Sequence, residues 1–381
     1  MQTFDVMIVG GGPAGSTAAR RLVASGLRVA VLDRAEFPRV KLCAGWLSEP
    51  VWDALELLPS SYPGGLWTWD RCHVHYRGRS TAVETRGYFI RRYELDDFLL
   101  RRSGAEMVRQ AVTAIRRDGD DWVVDERHRA RYLVGAGGTH CPVARLLAPT
   151  RTERPVGVQE IEYQADAGAV ATHRLGRDGE PELLLHDDLG GYAWNVPKTG
   201  WLNVGCGTMD ARQVRKAWAR ACDHFEAHLP PDASCRLAEA KGHSYYLFDP
   251  AHLGGCEKDG ALLVGDALGL AQPFTAEGIL PAVLSGRLAA DAILAGDPAS
   301  YRGRLARDPV LSDYDLYYRL RMAGSRLKDR ASGRVRRSPI QAPAFFTTML
   351  GTAVAHGFAW MFAGRPVPGR RALQRLMGAR S

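Results

Sequence analysis

The sequence predicts an α/β protein, and three observations carry that expectation. Residues 4–33 run from an apolar stretch through a glycine-rich turn and a helical repeat into a second apolar stretch. Segments within 71–92 and 151–257, such as Cys72-His73-Val74-His75-Tyr76 and Thr199 to Gly207, have the period-2 character of strands. Beyond Gly278 the apolar residues Ile279, Val283, Leu284, Leu288 and Ile293 recur at helical spacing. A chain of 381 residues that is 46% hydrophobic can bury a large core and is long enough for two or three lobes.

The first unit is the most legible. Val6 to Val9 is continuously apolar, as a parallel strand buried on both faces must be. Gly10, Gly12 and Gly15 form GxGxxG, with Pro13 and Ala14 inside it. Ala18, Ala19, Leu22 and Val23 then recur at helical spacing until Gly26 ends the helix. A second strand, Val29 to Leu32, closes on Asp33 and Arg34; Asp33 lies 18 residues after Gly15, near the offset of roughly 20 expected of a ribose-binding acid. This is a Rossmann-type dinucleotide unit: its glycines let the backbone approach a pyrophosphate, and the helix start directs free N–H groups at it. By itself the unit accommodates NAD or FAD.

Composition narrows the classes. Seven cysteines, an odd number without CxxC pairs, predict reduced thiols rather than a disulfide framework or a metal site. The N-terminus enters a strand at once, without the pattern of a signal peptide, and a cytoplasmic location is the expectation. The net charge of +8 is uneven: residues 301–381 hold 16 basic and 4 acidic side chains, against 34 and 38 in the rest of the chain. No nucleic-acid-binding module accompanies that excess, so nucleic acid is not an expected partner.

A later segment separates the cofactors. Ala261 to Val264 reads as a strand, followed by Gly265-Asp266, a loop with Pro273, and a helix opening at Gly278-Ile279. This resembles the third FAD motif of the para-hydroxybenzoate-hydroxylase-like flavoproteins, which implies FAD as cofactor, Asp266 on the ribityl chain and the helix N-terminus at the flavin. "GYFIRRYELDDFLLRRSGAE" resembles the arginine-bearing helix of that superfamily, which implies Arg92 as a flavin contact and Val112 as an adenine contact. "RYLVGAGGTHCPVARLL" occupies the place of its GADGxxSxVR motif but has Gly138 where Asp-Gly is usual, and the external electron donor is left unidentified.

"KLCAGWLS" resembles the cysteine loop of the geranylgeranyl reductase family within that superfamily, and "YAWNVP" resembles its Y-x-W-x-F-P strand, with Val196 in place of Phe. The resemblance implies that Cys43 faces the isoalloxazine, that Ala44 and Gly45 give the backbone its close approach, and that Trp46, Tyr192, Trp194 and Pro197 shape the substrate pocket. It implies an enzyme that reduces or forms C=C bonds in an apolar substrate, isoprenoids among the candidates, by hydride transfer at flavin N5; the alternative is a monooxygenase or halogenase on the same scaffold. Cys43 itself has three readings: proton donor, flavin-contacting wall, or remote structural thiol.

The expected layout is a discontinuous FAD domain (1–70, 93–150 and 258–300), a mixed-sheet substrate domain (71–92 and 151–257) and a helical C-terminal lobe (301–381). From Ser338 to Gly364 there is no charged residue. A buried helix closing the substrate tunnel leads the readings of that stretch, with peripheral contact to an anionic membrane close behind and a spanning helix last.

Overall fold

The structure is a computed structural model that describes residues 1–148, 155–165, 179–226 and 237–335. Two eight-stranded sheets organise it. The first contains β1 (Gln2–Val9), β2 (Val29–Asp33), β6 (Glu106–Arg109), β7 (Ile115–Asp118), β8 (Asp121–Val124), β9 (His128–Gly135), β15 (Glu257–Lys258) and β16 (Ala261–Leu263). The second contains β3 (Trp46–Leu47), β4 (Trp67–Tyr76), β5 (Arg79–Phe89), β10 (Val156–Gln164), β11 (Glu182–Leu185), β12 (Gly191–Lys198), β13 (Trp201–Thr208) and β14 (Lys241–Tyr245).

The first sheet has the parallel order β16-β9-β1-β2-β6, with β15 and the β7–β8 hairpin added antiparallel. Val6, Met7 and Ile8 are fully buried, as the unbroken apolar run requires. Among the helices, α1 (Pro13–Ala24), α2 (Glu49–Leu55), α3 (Arg92–Ser103), α4 (Pro142–Leu147), α5 (Val214–Phe225), α6 (Ile279–Leu294), α7 (Tyr301–Arg307) and α8 (Leu311–Val335), α1 packs against α6 and α3. A Cβ on Gly286 of α6 would lie 2.3 Å from the Ala14 carbonyl oxygen, so the two helices touch backbone to backbone.

The second sheet runs β14-β10-β13-β12-β11-β4-β5-β3, antiparallel except where β11 meets β4. It begins earlier in the chain than the expected boundary at residue 71, because Trp46-Leu47 and Trp67 to Trp69 pair into it. One face, with Ile161, Leu202, Val204 and Cys206, is covered by Ala221 and Phe225 of α5, the amphipathic helix its spacing predicts. The other face carries Trp46, Trp69, Val74, Phe89, Val158, Leu183, Trp194 and Val196.

The C-terminal helices begin on the first sheet's core, where Leu311, Tyr314 and Tyr317 are buried and Tyr301 donates to the Leu263 carbonyl at 2.9 Å. Among the described residues no helix is long and apolar enough to cross a membrane. The uncharged stretch 338–364 and the arginines after it lie outside the described residues.

Candidate active site

A cleft of about 780 Å³ lies between the two sheets. Its floor is the turn after β1. Gly10 sits at φ +111°, where a Cβ would meet the Ala136 carbonyl oxygen at 2.4 Å, and a Cβ on Gly15 would lie 2.0 Å from the Gly10 carbonyl oxygen. Only glycine lets helix and strand approach this closely. No side chain caps the N-terminus of α1 at Gly12, so its first N–H groups open toward the cleft beside Pro13 and Ala14. Asp33, at the end of β2, accepts from the N–H of Gly11 and of Ala35, both at 2.9 Å, and lines the cleft next to Arg34.

Four cationic side chains face the same space: Arg34, Arg39, Lys41 and Arg92. Arg92 makes a bidentate pair with the fully buried Asp96 (2.6 and 2.8 Å), and Arg39 reaches the same carboxylate at 3.1 Å. Burial works against the Arg92 charge, but Asp96 outweighs it and holds the guanidinium above its ordinary value. Asp266 lines the cleft beside Gly278 and Ile279; burial pushes its carboxyl up, against the pull of Lys41 and Arg92. An uncapped helix, four cations and two flanking carboxylates fit a dinucleotide with an anionic pyrophosphate and polyhydroxyl arms.

Residues 8–40 match the NAD(P)-binding Rossmann-like domain family. The chain is 30% identical over 319 residues to an uncharacterized protein of Methanosarcina barkeri, covering 77% of this chain and 75% of that one. It is 26% identical to digeranylgeranylglycerophospholipid reductase 1 of Methanothermobacter thermautotrophicus (78% and 80% covered) and 27% identical to a menaquinone reductase of Mycolicibacterium smegmatis (78% and 78%). A geranylgeranyl bacteriochlorophyll reductase-like structure from Thermoplasma acidophilum shares the fold, with a TM-score of 0.64 at 21% identity over 86% and 88% of the two chains. The chain belongs to the geranylgeranyl reductase family of FAD-dependent oxidoreductases.

FAD is thus the cofactor of this geranylgeranyl reductase-like enzyme, and the cleft sorts the residues expected to hold it. Gly10, Gly12, Pro13, Ala14, Asp33, Arg34, Cys43, Arg92, Asp266, Gly278 and Ile279 line the space. Gly15 and Gly265 stand behind the lining and set how closely its elements pack. Pro273 is buried in the loop before α6 and Val112 packs on the edge of the first sheet's core, both outside the lining. Asp266→Ala should raise the dissociation constant for FAD about tenfold, as loss of one charged acceptor predicts. Flavin fluorescence during dialysis measures it, and unchanged retention would remove Asp266 from the site.

The cysteine loop of this family member is held from below. Gly45 has φ +74° and approaches so closely that a Cβ would stand 2.0 Å from the Ile90 carbonyl oxygen and 3.1 Å from Lys198 Nζ. Its N–H donates to Cys43 Sγ at 3.3 Å, and the thiol lines the cleft. Lys198, 1% exposed, donates to the Cys43 carbonyl oxygen at 2.8 Å and pairs with Glu162. Glu162 also accepts from Arg91 at 2.9 Å, and the Arg91 guanidinium stacks 3.5 Å above the Trp201 ring. One buried ion network therefore ties β10, β12 and the start of α3 to the backbone of Cys43.

The expected substrate residues do not line this cleft. Trp46 is buried edge-on between Trp69 (centroids 4.5 Å apart) and Phe89 (5.2 Å), and Ala44 packs against the same cluster. Tyr192 and Trp194 alternate onto that apolar face; the Trp194 indole N–H donates to Asn203 at 2.6 Å and its ring covers Gly205. Pro197 is out of phase with them and, paired with Leu202, faces the α5 side, because side chains alternate along a strand. Lys198, not Pro197, is the residue of that turn that reaches the cysteine loop. A compositional signal pointed to it, since Lys198 is one of only six lysines among 50 basic residues. Arg39 and His243 carried no motif and needed the fold to bring them to the cleft; Asp96 belongs to the arginine-bearing helix and Glu162 stands behind the cysteine loop.

Proposed function

We propose that this enzyme saturates C=C bonds in the polyprenyl chain of a lipid or quinone. The observation that carries the reading is the placement of Cys43: a thiol on a braced loop that lines the dinucleotide cleft, next to Ala44, which packs on the apolar face of the second sheet. The names of the curated relatives support the substrate class, since the glycerophospholipid and the menaquinone they refer to both carry polyprenyl chains. Bound FAD supplies the hydride. The chain's own residues then have three tasks. Tyr192 and Tyr245, partly exposed at the rim of the aromatic face, offer an apolar surface for the hydrocarbon. The braced loop fixes the sulfur. The Cys43 thiol gives a proton to the carbon opposite the one that receives hydride.

The test is anaerobic. FAD-loaded protein, reduced with dithionite, is mixed with geranylgeraniol or menaquinone in detergent micelles, and the products are weighed by mass spectrometry. Gain of hydrogen across a polyprenyl double bond is the expected result. A product that forms only when O2 is admitted, and carries oxygen or halogen, would replace this reading with that of a monooxygenase or halogenase.

A further inference from the structure

One buried group beside the cleft has no part in the chemistry described so far. Glu160, on β10, is fully buried, with no close, well-aligned hydrogen bond to either carboxylate oxygen. It shares a face with Val158 and Glu162, the apolar face that carries Trp194 and Tyr192. Across from it on β13 is Gly205, where a Cβ would stand 2.7 Å from the Glu160 Cβ and 2.3 Å from the Trp194 ring. The missing side chain makes room for the carboxyl beneath the indole. Its Oε1 lies 3.5 Å from Nδ1 of His243, on the neighbouring β14, and His243 lines the cleft together with Cys43.

A carboxyl in this setting is costly unless it stays neutral. Burial pushes Glu160 up to about 7, with Glu162 raising it further and Lys198, Lys41 and the Asn203 amide opposing. Burial, Lys41 and Arg92 together push His243 down to about 3, so the imidazole is neutral and has one nitrogen free to accept. His243 and Tyr245 of β14 line the cleft together with Cys43, and Tyr192 packs on the same sheet face as Glu160.

We propose that Glu160, acting through His243, is the proton store of this site and recharges Cys43 after each turnover. The inference rests on the C=C-reducing role of Cys43 proposed above. After the thiol has given its proton to carbon, the sulfur takes the proton of His243 Nε2. His243 Nδ1 takes the Glu160 proton in the same movement, water reprotonates the carboxylate, and the imidazole, left with its hydrogen on Nδ1, exchanges with solvent in the cleft to carry it on Nε2 again before the next turnover. One proton enters from solvent for each one delivered to carbon, and no electron moves along the relay. Glu160 and His243 are positioning residues in this scheme, since Cys43 alone touches the reacting atoms.

Three measurements test it on FAD-loaded protein. Glu160→Gln and His243→Gln should both keep FAD and both slow steady-state reduction of geranylgeraniol about 100-fold, the lower range for a positioned acid. The first turnover, drawing on a thiol that already carries its proton, should stay near the parent rate. The infrared difference between parent and Glu160→Gln should show a protonated carboxyl that fades as pH rises through about 7; His243→Gln should retain that band while losing turnover. Alkylation of Cys43 by iodoacetamide, followed by peptide mass spectrometry, needs no substrate and should lose its inflection near pH 7 in Glu160→Gln. Absence of the carboxyl band, an unchanged alkylation profile, or steady-state turnover within a few-fold of parent each overturns the store. If the parent leaves geranylgeraniol untouched, the substrate reading has failed, and the infrared and alkylation measurements still decide whether Glu160 holds the proton and senses Cys43.

Discussion

Cys43→Ser should keep its FAD and its fold while reduction of geranylgeraniol falls about 100-fold or more. Serine fits the loop, because the sulfur's partner is a single N–H, from Gly45, which an oxygen accepts equally well. The hydroxyl, however, is a far weaker acid than a thiol, and a positioned acid contributes roughly 10²–10⁴-fold. Flavin reduction by dithionite should be unchanged, which separates the proton step from the delivery of electrons. Turnover within a few-fold of parent would leave Cys43 as a wall of the cleft. Loss of FAD would instead make cofactor retention the loop's task.

Lys198→Met should be the most destabilising single change at the site. Methionine replaces the volume, but it strands the Cys43 carbonyl and leaves Glu162 with Arg91 as its remaining cation. Breaking a buried pair from one side costs about 3–5 kcal/mol; the retained Arg91 contact puts the expected loss near the lower figure, about 3 kcal/mol. Chemical denaturation reads the stability, and FAD retention should fall with it. Adding Glu162→Gln should recover part of the loss, because the stranded charge goes with it. A Lys198→Met protein as stable as the parent would mean that water replaces the ammonium and that the loop is braced elsewhere.

Local patterns in the sequence carry the dinucleotide half of this site, and that is why it is readable there. Gly10, Gly12 and Gly15 answer to backbone approach within one turn, and Asp33 follows at a distance set by one strand and one helix. The strand–loop–helix around Asp266 is equally compact. The substrate side is assembled differently. Glu160, Glu162, Lys198 and His243 sit on three strands of a sheet whose order, β14-β10-β13-β12, departs from chain order. Each alone looks like an ordinary polar residue in a strand, and the register that pairs His243 with Val158, diagonal to Glu160, leaves no trace in either segment. Pro197 illustrates the same limit: a motif written as a string does not say that Pro197 and Trp194 lie on opposite faces of the strand. Trp46 was legible as a residue of the cysteine loop, yet the two-residue strand β3 turns its ring into the Trp69–Phe89 cluster.

The close contact between Ala14 and Gly286 bears on how the chain is made. Helix α1, which opens the cofactor cleft, leans on α6, and strand β1 reaches β16 through β9. During synthesis the dinucleotide turn emerges among the first residues and meets α3 and Ala136 early, but the side of α1 that leans on α6 has no partner until almost three quarters of the chain has followed. The whole second sheet must leave the ribosome in between. Contacts this distant in sequence slow folding and expose apolar surface meanwhile. A nascent chain stopped before Gly265 would carry the glycine turn intact and still lack a closed place for FAD.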